Sequence, residues 1–172
     1  MRSKSIRKKR SKQRKKTIRK KRGGNKNIQV FYGSTQITEG MDLTGQAKLY
    51  QQKPRIRIQP PNDYIITLTD PDAPAGQWTH YVAQIKSDGT VKDIYPYEPP
   101  RPPPQSGLHH YIFKVYPSLL LDNLAPVNLA PVNLSGNVYY KQRLEPIIKN
   151  KKALYSIQFT VKSSFIARAP NH

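Results

Sequence analysis

The sequence predicts a mainly β fold: a two-sheet antiparallel sandwich with small peripheral helices. Three observations point there. Five or more short runs are rich in β-branched and aromatic residues, and several alternate apolar with polar side chains. No regularly spaced helical segments separate these runs. Sixteen prolines and eleven tyrosines in 172 residues favour strands and ordered loops over a helix bundle.

The elements follow in order. Ile28-Gln29-Val30-Phe31-Tyr32 alternates as a strand that Gly33 ends. Arg55-Ile56-Arg57-Ile58-Gln59 alternates cleanly, with Ile inward and Arg outward. Pro60-Pro61-Asn62-Asp63 is expected to turn the chain into Tyr64–Thr69, a run apolar enough to be buried on both faces. Trp78 to Lys86 is the next strand. Ser87-Asp88-Gly89-Thr90 should close a hairpin, because Asp-Gly supplies the positive φ that such turns need. Residues 95–106 hold six prolines and should form a stiff, extended loop poor in backbone donors. His110–Tyr116 is a strand. Leu124-Ala-Pro-Val-Asn repeats as Leu129-Ala-Pro-Val-Asn, a local duplication that suits an expanded surface loop. A short helix limited by Pro146 is expected within 141–150. Tyr155, Ile157, Phe159 and Val161 share one face of a last strand.

Charge divides the chain in two. Residues 1–26 carry 15 of the 30 Lys and Arg and no acid, whereas 27–172 carry the other 15 and all 10 acids. The net charge of +20 is therefore mostly a property of the first segment. After Met1 its only strongly apolar residues are Ile6 and Ile18, too few to fold alone, so 1–26 is expected to be a disordered polybasic arm hinged at Gly23-Gly24. Residues 27–172 make one domain's worth of chain. Without cysteine there is no disulfide or thiolate chemistry. No run reaches the ~18 apolar residues of a membrane span, and no apolar signal segment opens the chain. These features suggest an intracellular protein, in the cytoplasm or, through the basic clusters, the nucleus. Usage rich in Lys, Asn, Ile and Tyr fits an AT-rich genome such as a large DNA virus, which adds the virion as a location.

Two loop-bounded segments gather the chemistry. Asp70-Pro71-Asp72-Ala73-Pro74 precedes Trp78-Thr79-His80, and Gly107-Leu108-His109-His110-Tyr111 opens a later strand. Together they place carboxylates, imidazoles and a phenol at strand ends, where a scaffold presents functional groups. Plain structural roles exist for each. Asp before Pro commonly caps a turn, Trp78 reads most simply as core, and His110 should face away from His109. The two motifs in this order and spacing nonetheless resemble the two signature regions of the phosphatidylethanolamine-binding protein (PEBP) family, which includes Raf kinase inhibitor protein. The similar stretch runs from about Tyr64 to Tyr116, extends weakly back to Ile28, and is not followed beyond Leu119.

The resemblance implies a PEBP-like sandwich with a pocket for a phosphate-containing small ligand or phospholipid headgroup. It implies Asp70, Asp72, His80, His109 and Tyr111 as pocket residues, with Pro74 shaping the wall and Gly107 opening the second motif. It further implies binding or regulation rather than catalysis, a kinase or protease as protein partner, and no cofactor. Physical chemistry agrees with such a pocket: imidazoles and a tyrosine hydroxyl donate to phosphate oxygens, and protonated imidazoles do so more strongly. Anion affinity should then rise as pH falls towards ~6. Asp70 would repel phosphate, so its expected task is to accept from a His ring or to meet a headgroup ammonium. In two places the sequence departs from the family. Pro99-Pro100-Arg101-Pro102-Pro103-Pro104 stands where a Gly-rich stretch is usual, so either Arg101 replaces the missing backbone donors or the mouth of the pocket is reshaped. His110 stands where Arg is usual.

No metal is expected, because the Asp and His residues lie on separate loops without dense ligand spacing. Catalysis is not expected either. Ser106 neighbours Gly107 and His109, but no nucleophile elbow is present. An alternative reading starts from the arm: a nucleic-acid-associated basic structural protein whose pocket is non-functional. Fifteen positive charges suit non-specific nucleic acid or an anionic membrane surface, and an arm without aromatics would contact backbone phosphates only.

Overall fold

The computed structural model describes residues 27–59, 61–120 and 134–164. The basic arm and the duplicated pentads lie outside the described residues. Strands β1 (Asn27–Tyr32), β2 (Thr35–Gln36) and β4 (Arg55–Gln59) form a small antiparallel sheet in the order β2-β1-β4. The larger sheet holds β3 (Met41–Asp42), β5 (Tyr64–Asp70), β6 (Trp78–Ile85), β7 (Val91–Tyr95), β8 (Leu108–Pro117) and β9 (Tyr155–Lys162), in the order β3-β9-β8-β5-β6-β7. The fold is thus mainly β with two sheets, as expected. One detail differs: β3 pairs parallel with β9, Met41 opposite Phe159. The two-residue β3 is reached by crossing over from the small sheet, so it need not run antiparallel as a hairpin partner must.

The apolar pattern of each strand sets its place. Val30, Tyr32 and Ile58 point from the small sheet onto Ile66, Leu68, Tyr81, Phe113 and Phe159 of the large one, and this packing is the main core. The opposite face of the large sheet presents Ile65, Val82, Tyr95 and Tyr116 to Tyr139, Leu144 and Ile148. Because β5 lies between β8 and β6 and is covered on both faces, all seven of its residues are buried. That is why its sequence carries apolar residues on both faces, Ile66 and Leu68 towards the main core and Ile65 towards the other. Between β6 and β7, Gly89 takes φ 86°, and the Lys86 amide donates to the Thr90 carbonyl at 2.9 Å, closing the expected hairpin.

The helical cover differs from expectation. It begins at Gly136, with α2 (Gly136–Tyr139), a π turn (Tyr140–Leu144) and α3 (Glu145–Ile148) in succession, after two short helical turns earlier in the chain, α1 (Ala47–Tyr50) and a 3-10 turn (Ser118–Leu120). Pro146 does not bound this cover. It sits in the first turn of α3, where its missing N–H costs little. The preceding turn is widened, so that the Glu145 amide bonds the Tyr140 carbonyl five residues back. Among the described residues, no helix is long and apolar enough to cross a membrane.

Candidate functional site

Antiparallel neighbours bring opposite ends together, so the C-terminal end of β5 lies beside the N-terminal ends of β6 and β8. Here the two motifs meet. Pairing of β5 with β6 jumps from Leu68–Tyr81 to Thr69–Thr79, which leaves His80 as the extra residue of a β-bulge. A bulge re-aims a side chain. The His80 ring points into a cavity of about 480 Å³, lined also by Asp70, Pro74, Trp78, Tyr97, Glu98, Arg101 and Tyr111. That volume falls within the usual range for small-molecule sites.

Asp70 is buried and has two tasks. One oxygen accepts the Asp72 amide at 2.9 Å, capping the Asp-Pro turn, while the other accepts from His109 Nδ1 at 2.7 Å. The turn-capping role and the histidine-orienting role therefore coexist. His109 is fully buried, its Nε2 lies 2.8 Å from Ser106 Oγ, and its ring stacks on Tyr111 at 6.5 Å. Both ring nitrogens are thus engaged by the protein, and His109 supports the site from behind.

His80 is the imidazole that faces the cavity. Its Nδ1 lies 3.0 Å from the Glu98 carbonyl oxygen, so Nδ1 carries the proton and Nε2 is the free atom. Burial holds its pKa below the ordinary histidine value, against the opposing pull of the Glu98 carbonyl and the charge of Asp70. The ring is therefore neutral near pH 7, and its Nε2 accepts until protonation turns it into a donor.

Tyr111 lies between His80, 5.1 Å away and edge-on, and Phe159, stacked at 5.3 Å. Among the described residues no group meets its buried hydroxyl in full hydrogen-bond geometry, and Asp70 and the Arg101 backbone approach it as weak polar neighbours. Burial first, and then the negative charge of Asp70, push its pKa well up, so it stays a donor at every physiological pH.

The Pro-rich loop forms one wall, to which Pro99, Arg101 and Pro103 contribute. Among the described residues Arg101 is the one cation lining the cavity, and its side chain is exposed. The loop is anchored by Glu98, whose carboxylate accepts from Trp78 Nε1 at 3.0 Å and from the Tyr95 hydroxyl at 2.6 Å. Tyr97 ties it to the other side of the sandwich by donating to the Tyr50 carbonyl at 2.6 Å. On the opposite rim, Asn137 Nδ2 donates to the Ala75 carbonyl at 2.6 Å, so α2 fixes the loop that carries Pro74.

Of the residues singled out by sequence, the structure gathers Asp70, Pro74, His80, Arg101 and Tyr111 around the cavity and sets His109 directly behind it. Asp72 turns away: it accepts from the His110 amide at 2.8 Å and from His110 Nδ1 at 2.7 Å, on the surface. These bonds hold its carboxyl below the usual carboxylate range, against the raising effect of its partial burial. Gly107 also stands apart. With φ 89° it immediately precedes β8, and it exchanges backbone and side-chain bonds with Ser163, just past the end of β9.

Sequence reasoning passed over Trp78 and Tyr97 as lining residues, and Glu98 and Ser106 as polar supports. Glu98 had a signal, as the single acid in the stiff 95–106 stretch. Ser106 completes an Asp70–His109–Ser106 chain, but its hydroxyl also bonds the Pro103 carbonyl at 2.6 Å, and it is not among the residues lining the cavity. The chain is a brace between β5, β8 and the Pro-rich loop. Among the described residues, no group of three or more His, Asp or Glu side chains could hold a metal ion.

A family model described as phosphatidylethanolamine-binding protein matches residues 33–162. The match therefore continues past Leu119, where the motif resemblance was no longer followed, and takes in β9. Two solved structures are similar. One is a phosphatidylethanolamine-binding protein from Plasmodium vivax, 17% identical, with TM-score 0.60 over 80% of this chain and 85% of that one. The other is a carboxypeptidase Y inhibitor complexed with its cognate proteinase, 16% identical, with TM-score 0.54 over 80% of this chain and 83% of that one.

Proposed function

The chain belongs to the phosphatidylethanolamine-binding protein family, and from that premise we propose that it is a binding or regulatory protein whose cavity holds a small phosphorylated ligand of headgroup type. One observation carries the proposal: side chains from three sequence regions, His80, Arg101 and Tyr111, meet at one cavity, and among the described residues no group completes a hydrogen bond to the Tyr111 hydroxyl. A phosphate oxygen would satisfy that hydroxyl, and Arg101 would supply the charge that the prolines, lacking N–H groups, do not. Trp78 and Tyr97 give the remaining wall an aromatic surface suited to an ammonium group. The relation to a proteinase inhibitor supports a protein partner as the target of such regulation.

Calorimetric titration with glycerophosphoethanolamine, a phosphodiester of constant charge between pH 5 and 8, tests the reading. Arg101→Gln and Tyr111→Phe should each weaken binding about tenfold. Wild-type affinity in both variants would refute it. Because His80 faces the cavity and is neutral near pH 7, affinity should gain on acidification as His80 becomes protonated.

A further inference from the structure

The outer face of the small sheet has no covering layer among the described residues, and its composition is unusual. On β1 and β4 the inward positions are apolar, whereas the outward ones are Gln29, Phe31, Arg55, Arg57 and Gln59, with Gln36 from β2 beside them. In register, Phe31 lies between Gln36 and Arg55, and Gln29 opposite Arg57. The Arg55 guanidinium sits 4.8 Å from the Phe31 ring centre and that of Arg57 6.0 Å. The three strands contain no acid, and neither arginine is in an ion pair among the described residues. The face thus offers one planar ring, two cations and several amides, all on rigid strands.

We propose that this face is a docking surface for single-stranded nucleic acid, with Phe31 stacking a base and Arg55 and Arg57 contacting the flanking phosphates. Charge complementarity supports that occupant, and so does position. The 26 residues that hold 15 positive charges, no acid and no aromatic join the sheet at Asn27, the first residue of β1. The arm supplies backbone attraction, and the sheet supplies the stacking platform the arm lacks. A single strand fits better than a duplex, whose bases are already stacked and cannot lie on Phe31. A bilayer fits less well, because one ring flanked by guanidinium and amide groups offers little apolar area to insert.

The test uses the full chain and fluorescence anisotropy with labelled oligo(dT) and oligo(rU), the matching DNA duplex, and phosphatidylserine vesicles. Phe31→Ala should lower single-strand affinity about tenfold and leave duplex affinity nearly unchanged, while Phe31→Trp retains or improves it. Arg55→Gln with Arg57→Gln should reduce the slope of log affinity against log salt by about 1.4 on single strands. Loss on both DNA and RNA, or on only one of them, supports the face and identifies the source. Three results would overturn the proposal: unchanged single-strand binding in folded Phe31→Ala, equal losses on single strand and duplex, or losses confined to vesicles. Retained glycerophosphoethanolamine binding in the variants shows that they are folded. If none of the proteins binds that compound, thermal melting serves instead, so failure of the cavity reading remains distinct from failure of this one.

Discussion

His80 and Tyr111 face the same cavity but are prepared for it differently. His80 is buried as a neutral ring with its Nδ1 proton committed to the Glu98 carbonyl, whereas the buried Tyr111 hydroxyl completes no hydrogen bond among the described residues. An unsatisfied buried hydroxyl costs about 1–3 kcal/mol. Tyr111→Phe should therefore leave stability unchanged or raise it by about 1 kcal/mol in denaturant melts, while ligand affinity falls. A clear loss of stability would mean that the hydroxyl has a partner in the free protein. For His80 the depressed pKa fixes the sign of the pH effect. The unfolded ring takes up a proton first, so the stability His80 contributes is present above its unfolded value of ~6.5 and is lost as pH falls through the folded value. The stability advantage of wild type over His80→Gln should shrink between pH 7 and 5, and a constant difference would count against this assignment. At this scale the sequence identified residue types well but orientations less well. Asp72 and Gly107 lie in the motifs yet turn away from the cavity, because a turn residue's direction depends on the strand it joins, and spacing does not reveal that.

Two elements act as adjustable parts of the site. One is the bulge at His80, and the other is the close approach of α2 to β6. Gly136 packs so tightly there that an added Cβ would overlap Trp78 and the Thr79 carbonyl. Gly136→Ala should cost about 1–3 kcal/mol and shift the Trp78 emission, since backbone as well as side chain must move. An unaltered melting curve and emission spectrum would contradict that packing. The strands were legible because alternation and continuous apolar runs report directly on one-sided and two-sided burial: β4 and β9 alternate, while β5 does not. The helical cover was less legible. Pro146 looked like its boundary, but the π turn before it absorbs the missing donor. The Pro-rich stretch read correctly as a loop, without strand or helix. That Glu98 anchors it on Trp78, twenty residues back on β6, depends on a contact that no local pattern encodes.

Across the whole molecule charge and apolarity separate: after Met1, residues 1–26 hold only Ile6 and Ile18 as strongly apolar side chains, too few to extend a core. Removing residues 1–26 should therefore leave the melting temperature and glycerophosphoethanolamine affinity unchanged while sharply weakening retention on nucleic acid. A fall in melting temperature would show that the arm packs on the domain. The net charge of +20 also shapes any binding test, since such a protein attracts anions over much of its surface. Bulk affinity alone therefore cannot locate the ligand, but the titration of one buried ring can. The most direct measurement is the His80 imidazole pKa, read by NMR with and without glycerophosphoethanolamine. An anionic group held in the cavity stabilises the protonated ring, so the pKa should rise clearly when the compound is added, and Arg101→Gln should weaken the compound's hold. A His80 pKa that stays the same at saturating compound would contradict the account at its centre.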